Sequence, residues 1–129
     1  YDPSPTARKL YASAAWVFSE SYDGRLFISS GHRSAATADE AALAACAAAT
    51  SSAVCRIATG VGNGVIQPYK MNAETSIVIE RNAKRARQAA MTDCENKQGK
   101  CSIQRNYDSR IVGNFVHEYN LTSNDAEQP

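Results

Sequence analysis

The sequence has no apolar stretch long enough to cross a bilayer, which excludes a helical membrane-spanning chain. It also has no charge excess: 14 Lys and Arg stand against 13 Asp and Glu, for a net charge of +1. The broad basic field that drives nonspecific nucleic-acid binding is therefore missing, and no nucleic-acid partner is expected. Histidine is scarce, with only His32 and His117. Neither is placed to join the cysteines, which lack the tight C-x-x-C spacing of zinc sites, so no metal is expected. The G-x-S-x-G motif of hydrolase nucleophiles is absent. Gly60-Val61-Gly62-Asn63-Gly64 lacks the lysine and the following helix of a nucleotide loop; it reads as a tight turn, and no cofactor is expected.

What is present is an internal duplication. Ser34 to Cys46 falls on Asn82 to Cys94, with four alanines, one large apolar residue and a cysteine in register. The likeness continues through Cys55-Arg56-Ile57 and Cys101-Ser102-Ile103. Each is followed ten residues after its cysteine by a β-branched pair, Val65-Ile66 and Ile111-Val112. A chain of 129 residues supports one core and not two, so both repeats should share a single domain.

The four cysteines, Cys46, Cys55, Cys94 and Cys101, form two close pairs and suit an oxidising compartment. Three connectivities are possible, and only the local one respects the repeat. Each local bridge would contribute about 2 to 3 kcal/mol by closing a short loop. The chain opens at Tyr1 without an initiator methionine or an apolar leader, as expected of a mature exported protein. Alanine richness points to a GC-rich bacterium, hence a periplasmic or secreted location. Asn120-Leu121-Thr122 is a glycosylation sequon, relevant only in a eukaryotic source.

Along the chain, residues 1–9 read as a flexible segment, 10–121 as the domain and 122–129 as a polar tail, with repeats at about 12–70 and 74–121. Alternation around Trp16 and Leu26-Phe27-Ile28, joined at Tyr22-Asp23-Gly24, predicts a β-hairpin. Ser34, or Thr37, caps a helix running to Ala49, and Asn82 opens a second helix that breaks at Gln98-Gly99. Strands are expected from Cys55 to Thr59 and Val65 to Tyr69, joined around Asn63-Gly64. Others are expected at Ile77-Val78-Ile79, from Cys101, from Ser109, and through Phe115, His117 and Tyr119. The fold class is α+β: an antiparallel sheet of about six to eight strands with two Ala-rich helices on one face, built from two β-α-β-β type repeats. Lys84, Arg85 and Arg87 stand near the start of the second helix, as a solvated face or an anion patch.

These residues resemble a family of small exported bacterial proteins catalogued as domain of unknown function 4189. The likeness lies in the opening strand pair around Ala14-Ala15-Trp16 and Gly24. It continues in the A-x-x-A-A-L-x-x-C helix from Ala38 to Cys46 and in the strand Cys55-Arg56-Ile57. It covers residues 12–67, and the second unit repeats it in weaker form. The resemblance implies export and fold, and it carries no catalytic residue with it.

Two functional classes follow. A small disulfide-pinned domain without a catalytic set suits binding to another protein through loops. Ser30-Gly31-His32-Arg33, Asn63 with its flanking glycines, and Tyr107-Asp108-Ser109-Arg110 are the partner-binding candidates, and each reads equally as a connection between strands. The concrete expectation is an immunity or inhibitor protein that blocks an antibacterial effector such as a peptidoglycan hydrolase. The alternative is a small secreted hydrolase, with RNA as a candidate substrate, using His32, Glu80 and His117 for acid–base chemistry beside Arg33 and Arg81.

Overall fold

The computed structural model describes residues 9–18, 24–50, 54–72, 74–98 and 100–119. The expected Tyr22-Asp23 turn, Gly99, the Asn120 sequon, residues 1–8 and the polar tail lie outside the described residues.

The order is β1 (Tyr11–Val17), β2 (Arg25–His32), α1 (Ala35–Thr50), β3 (Cys55–Gly62), β4 (Val65–Met71), β5 (Glu74–Glu80), α2 (Ala83–Asn96), β6 (Cys101–Ile103), β7 (Tyr107–Asp108) and β8 (Gly113–Glu118). The class is α+β, and every strand pairing is antiparallel. Among the described residues, eight strands divide between two sheets. One has the order β3-β1-β2-β8; the other has the order β5-β4-β6, with β7 also pairing β4.

Grouped by sheet, the duplication reads β-β-α-β. In each unit the strand after the helix returns beside the first strand, so that β3-β1-β2 is matched by β6-β4-β5. The second unit's returning strand is broken between β6 and β7, which pair successive stretches of β4. β8 then crosses back to the edge of β2.

The period-2 alternation of the strands explains the layering. From β1 and β2, Ala12, Ala14, Leu26 and Ile28 point inward to meet Ile66, Tyr107 and Tyr119 in a core between the two sheets. The opposite faces of the same strands present Ala15, Val17 and Phe27 to Ala42 and Cys46 of α1. In the second sheet, Tyr69, Met71 and Ile103 meet Ala90 and Cys94 of α2. The helices therefore lie on the outer faces of separate sheets, giving four layers, α1, sheet, sheet, α2. The single sheet with both helices on one face expected from the sequence is replaced by two sheets that cover one another, because the inward residues of both are mostly apolar.

The helices are matched residue for residue. Ala38, Ala42 and Cys46 are the buried residues of α1, and Ala86, Ala90 and Cys94 those of α2. Ser34 caps α1, its hydroxyl accepting from Thr37 N–H at 3.1 Å. Asn82 caps α2, accepting from Arg85 N–H at 2.8 Å. Disulfides Cys46–Cys55 and Cys94–Cys101, with Cα separations of 6.2 and 6.0 Å, tie each helix end to its returning strand.

One turn behaves differently from its sequence signal. Asn63-Gly64 does not close a β3–β4 hairpin; it carries the chain from one sheet to the other. Asn63 adopts φ 49°, donates its N–H to the Leu10 carbonyl at 2.8 Å and accepts from Leu10 N–H at 3.0 Å. These bonds pin the turn to the start of β1, which takes β3 as its partner.

Candidate interaction surface

Four segments far apart in sequence meet at the end of the sandwich where both helices begin. Ser109 is the junction. It is fully buried; its N–H donates to Gly64 O at 2.8 Å, its carbonyl accepts from Gly31 N–H at 2.9 Å, and its hydroxyl accepts from Gly64 N–H at 3.0 Å. The Ser30 hydroxyl, also buried, donates to the Ile111 carbonyl. Gly31 is required here: at φ 85° a Cβ would stand 2.5 Å from Val112 Cγ2. Removing the junction hydroxyl with Ser109→Ala leaves the buried Gly64 N–H unpaired. A loss of about 1 to 3 kcal/mol is expected, read from the urea midpoint.

The segment after Ser109 projects from this base. Arg110 donates to Asp108 from Nε at 2.7 Å and from Nη2 at 3.1 Å, and Nη2 also donates to the Arg81 carbonyl at 3.2 Å. Burial raises the Asp108 pKa, but the side-chain and backbone hydrogen bonds from Arg110 outweigh it and hold the carboxyl below its ordinary range. Beyond this clamp Ile111 is 60% and Val112 76% exposed. Val116 is also exposed, because α1 covers β1, β2 and β3 but leaves the outer face of β8 bare.

A family model described as Domain of unknown function (DUF4189) matches residues 11–107, from the first residue of β1 into β7 and across both repeats. The chain belongs to this family. In this DUF4189 domain the match ends at Tyr107, so Asp108 to Val112 and β8 lie past it. Comparisons with curated proteins and with solved structures return no match.

Of the partner-binding candidates in the DUF4189 domain, the structure brings Ser30, Gly31, Asp108 and Arg110 together. Arg33 follows, exposed, and Asn63 adjoins Gly64 of the same base. Several of them are base rather than surface, since Ser30 and Tyr107 are buried. Tyr107 directs its hydroxyl into the core toward His117, and burial pushes its pKa up to about 12. Ile111 and Val112 were missed. The duplication equates them with Val65-Ile66, which is a buried strand start, whereas the second copy is pushed out as a loop. The available signal was their position between Arg110 and Gly113, where no alternation supports a strand.

The acid–base alternative is not assembled. His117 stands opposite Leu26 on β2, six residues from His32, or about 20 Å along an extended strand. It is 1% exposed and held between Tyr107 and Gln104. Glu80 forms an ion pair with Arg85 at 3.6 Å. His32 Nε2 lies 2.6 Å from Ser29 Oγ, but that hydroxyl is buried and also donates to Asn114. It cannot reach a substrate as a nucleophile. Among the described residues no three His, Cys, Asp or Glu side chains are grouped to hold a metal ion.

Proposed function

We propose that this chain is an exported, non-enzymatic binding protein that docks on another protein through the Asp108–Val112 projection. In its most specific form it is an immunity or inhibitor protein that occludes an antibacterial effector such as a peptidoglycan hydrolase. The observation that carries the reading is the exposed Ile111-Val112 pair on a base of buried hydrogen bonds. Apolar side chains held out on a rigid support lose little conformational entropy on docking, which leaves more of their burial as affinity. Two disulfides favour an oxidising, extracytoplasmic setting. Among the described residues no helix is long and apolar enough to cross a membrane.

The test is inhibition of purified peptidoglycan hydrolases, comprising glycosidases, amidases and endopeptidases, assayed on isolated cell wall. The chain is expected to inhibit at least one class at near-stoichiometric concentration. Val112→Asp should raise the inhibition constant at least about tenfold, the size of a moderate hot spot, with the unfolding midpoint unchanged. Absence of inhibition across all three classes would sink the reading.

A further inference from the structure

The charges around the projection narrow the class of partner, an inference that rests on the binding reading above. Two ion pairs are internal to this end of the molecule, Arg110 with Asp108 and Arg85 with Glu80. Asp39 accepts from the Ser13 hydroxyl, and Glu40 lies a turn into α1. Arg33, Arg81 and Lys84 are exposed and form no ion pair among the described residues. Against these three cations stand the Asp39 carboxylate and Glu40, which is exposed and forms no ion pair among the described residues, so the end that bears the apolar tip carries a small net positive collar.

Arg110 is the preordered member of this group. Its Nε and Nη2 groups are taken up by Asp108 and the Arg81 carbonyl, which fixes the guanidinium plane. The two Nη1 N–H groups stay available on an exposed side chain. The two N–H bonds of this one nitrogen diverge by about 120° and form no bidentate fork, but either can give a carboxylate oxygen a charge-assisted hydrogen bond in fixed orientation, and the neighbouring cations strengthen that attraction while repelling a positively charged site.

Among enzymes that cut cell wall, glycosidases hold two Asp or Glu carboxylates on either side of the scissile bond in an open cleft. Zinc-dependent amidases present a metal cation there instead. We infer that the partner is a glycoside hydrolase of peptidoglycan, with the Ile111-Val112 tip seated on the cleft wall and Arg110 Nη1 directed at the catalytic carboxylates.

The experiment uses a purified muramidase and a purified zinc amidase as probes. Inhibition of the muramidase is expected, weakening at least about tenfold between low and physiological salt as screening grows. Arg110→Ala should weaken it at least tenfold, as should Lys84→Glu, which leaves the Asp108 clamp untouched and so controls for folding. Binding measured by calorimetry should fall similarly when the muramidase's catalytic Glu is changed to Gln. Inhibition confined to the zinc amidase, or muramidase inhibition lost in Val112→Asp but unaffected by both charge variants, would overturn the carboxylate assignment and leave the binding reading standing. Inhibition of neither probe, combined with inhibition of an endopeptidase, would also overturn it. Inactivity against every hydrolase class removes both. Sedimentation with phosphatidylglycerol vesicles, abolished by Val112→Asp and without hydrolase inhibition, would assign the collar to an anionic membrane instead and overturn the inference.

Discussion

Acidifying the protein from about pH 6.5 to pH 4 should lower its free energy of unfolding by about 3 kcal/mol, with His117 as the source. This imidazole is buried in the seam between the sheets. The Tyr107 hydroxyl donates to Nδ1 at 2.8 Å. Nε2–H donates to Gln104 Oε1 at 2.7 Å, an assignment set by Gln104, whose amide nitrogen donates to the Tyr119 carbonyl at 3.1 Å. The rings of Tyr107 and Tyr119 face its edges at 5.5 and 5.2 Å. Both polar atoms are satisfied in the neutral form, and a proton would add an unpaired buried charge. Burial first, and the nearby Arg105 charge second, depress its pKa to about 4.

The sign follows from linkage. The unfolded chain takes up a proton below about 6.5 that the folded chain refuses until about 4. Stability is therefore full above 6.5, falls as pH drops through the window, and levels off below 4. Urea denaturation at pH 7, 5.5 and 4 should show the decline, and His117→Gln should remove most of the slope in that interval. An unchanged slope in the variant would assign the acid sensitivity elsewhere. Asp93 and Asp108, whose pKa values are both lowered, act in a lower range, since their stabilisation is lost only as pH falls below the ordinary carboxylate value.

Phe27→Ala should be the most damaging single truncation under α1, at about 3 to 5 kcal/mol. Phe27 is buried, pairs across the strands with Ala15 and Val116, and packs with Ala42 and Cys46. Arg25 lies over its ring, the guanidinium carbon 5.2 Å from the centroid. The buried residues that the helix offers to this layer are alanine and cysteine, with the partly buried Leu43 packed against them, so the sheet must supply most of the bulk that fills it. Small side chains cannot repack into the space a phenyl ring leaves, and the disulfide holds the helix end in place. The cost should accordingly sit in the upper part of the range. A loss below about 1 kcal/mol in urea unfolding would show that α1 settles onto the sheet.

Much of this fold is legible in local patterns. The alanine and cysteine register shared by the two helices contains the buried positions, Ala38, Ala42 and Cys46 in one and Ala86, Ala90 and Cys94 in the other, because a helix face repeats at i and i+4 and only one face of each meets a sheet. The caps at Ser34 and Asn82 and the cysteine pairing were equally local, since both involve neighbours within one turn or one short loop. The alternation of Phe115, His117 and Tyr119 put them on one strand face. Which groups they would meet was not written there.

Layering was decided at longer range. Period-2 alternation says that β1 and β4 each have two faces to bury, but not whether the duplicates lie side by side or face to face. That choice depends on Ala12, Ala14, Leu26 and Ile28 finding Ile66, Tyr107 and Tyr119 across the sandwich. The same holds for the candidate surface. Tyr107 and Arg110 are of residue types that favour interfaces, but the neighbouring Ile111 and Val112 read as strand in the sequence because their duplicates form one. Only the tertiary structure placed them outside. Ser109 gives its backbone and hydroxyl to Gly64 and Gly31, which turns the chain away from β4 before that pair and releases two β-branched side chains into solvent. Local sequence thus settles the elements and the faces they must bury; contacts between residues dozens of positions apart settle which faces meet and which apolar side chains are left for a partner.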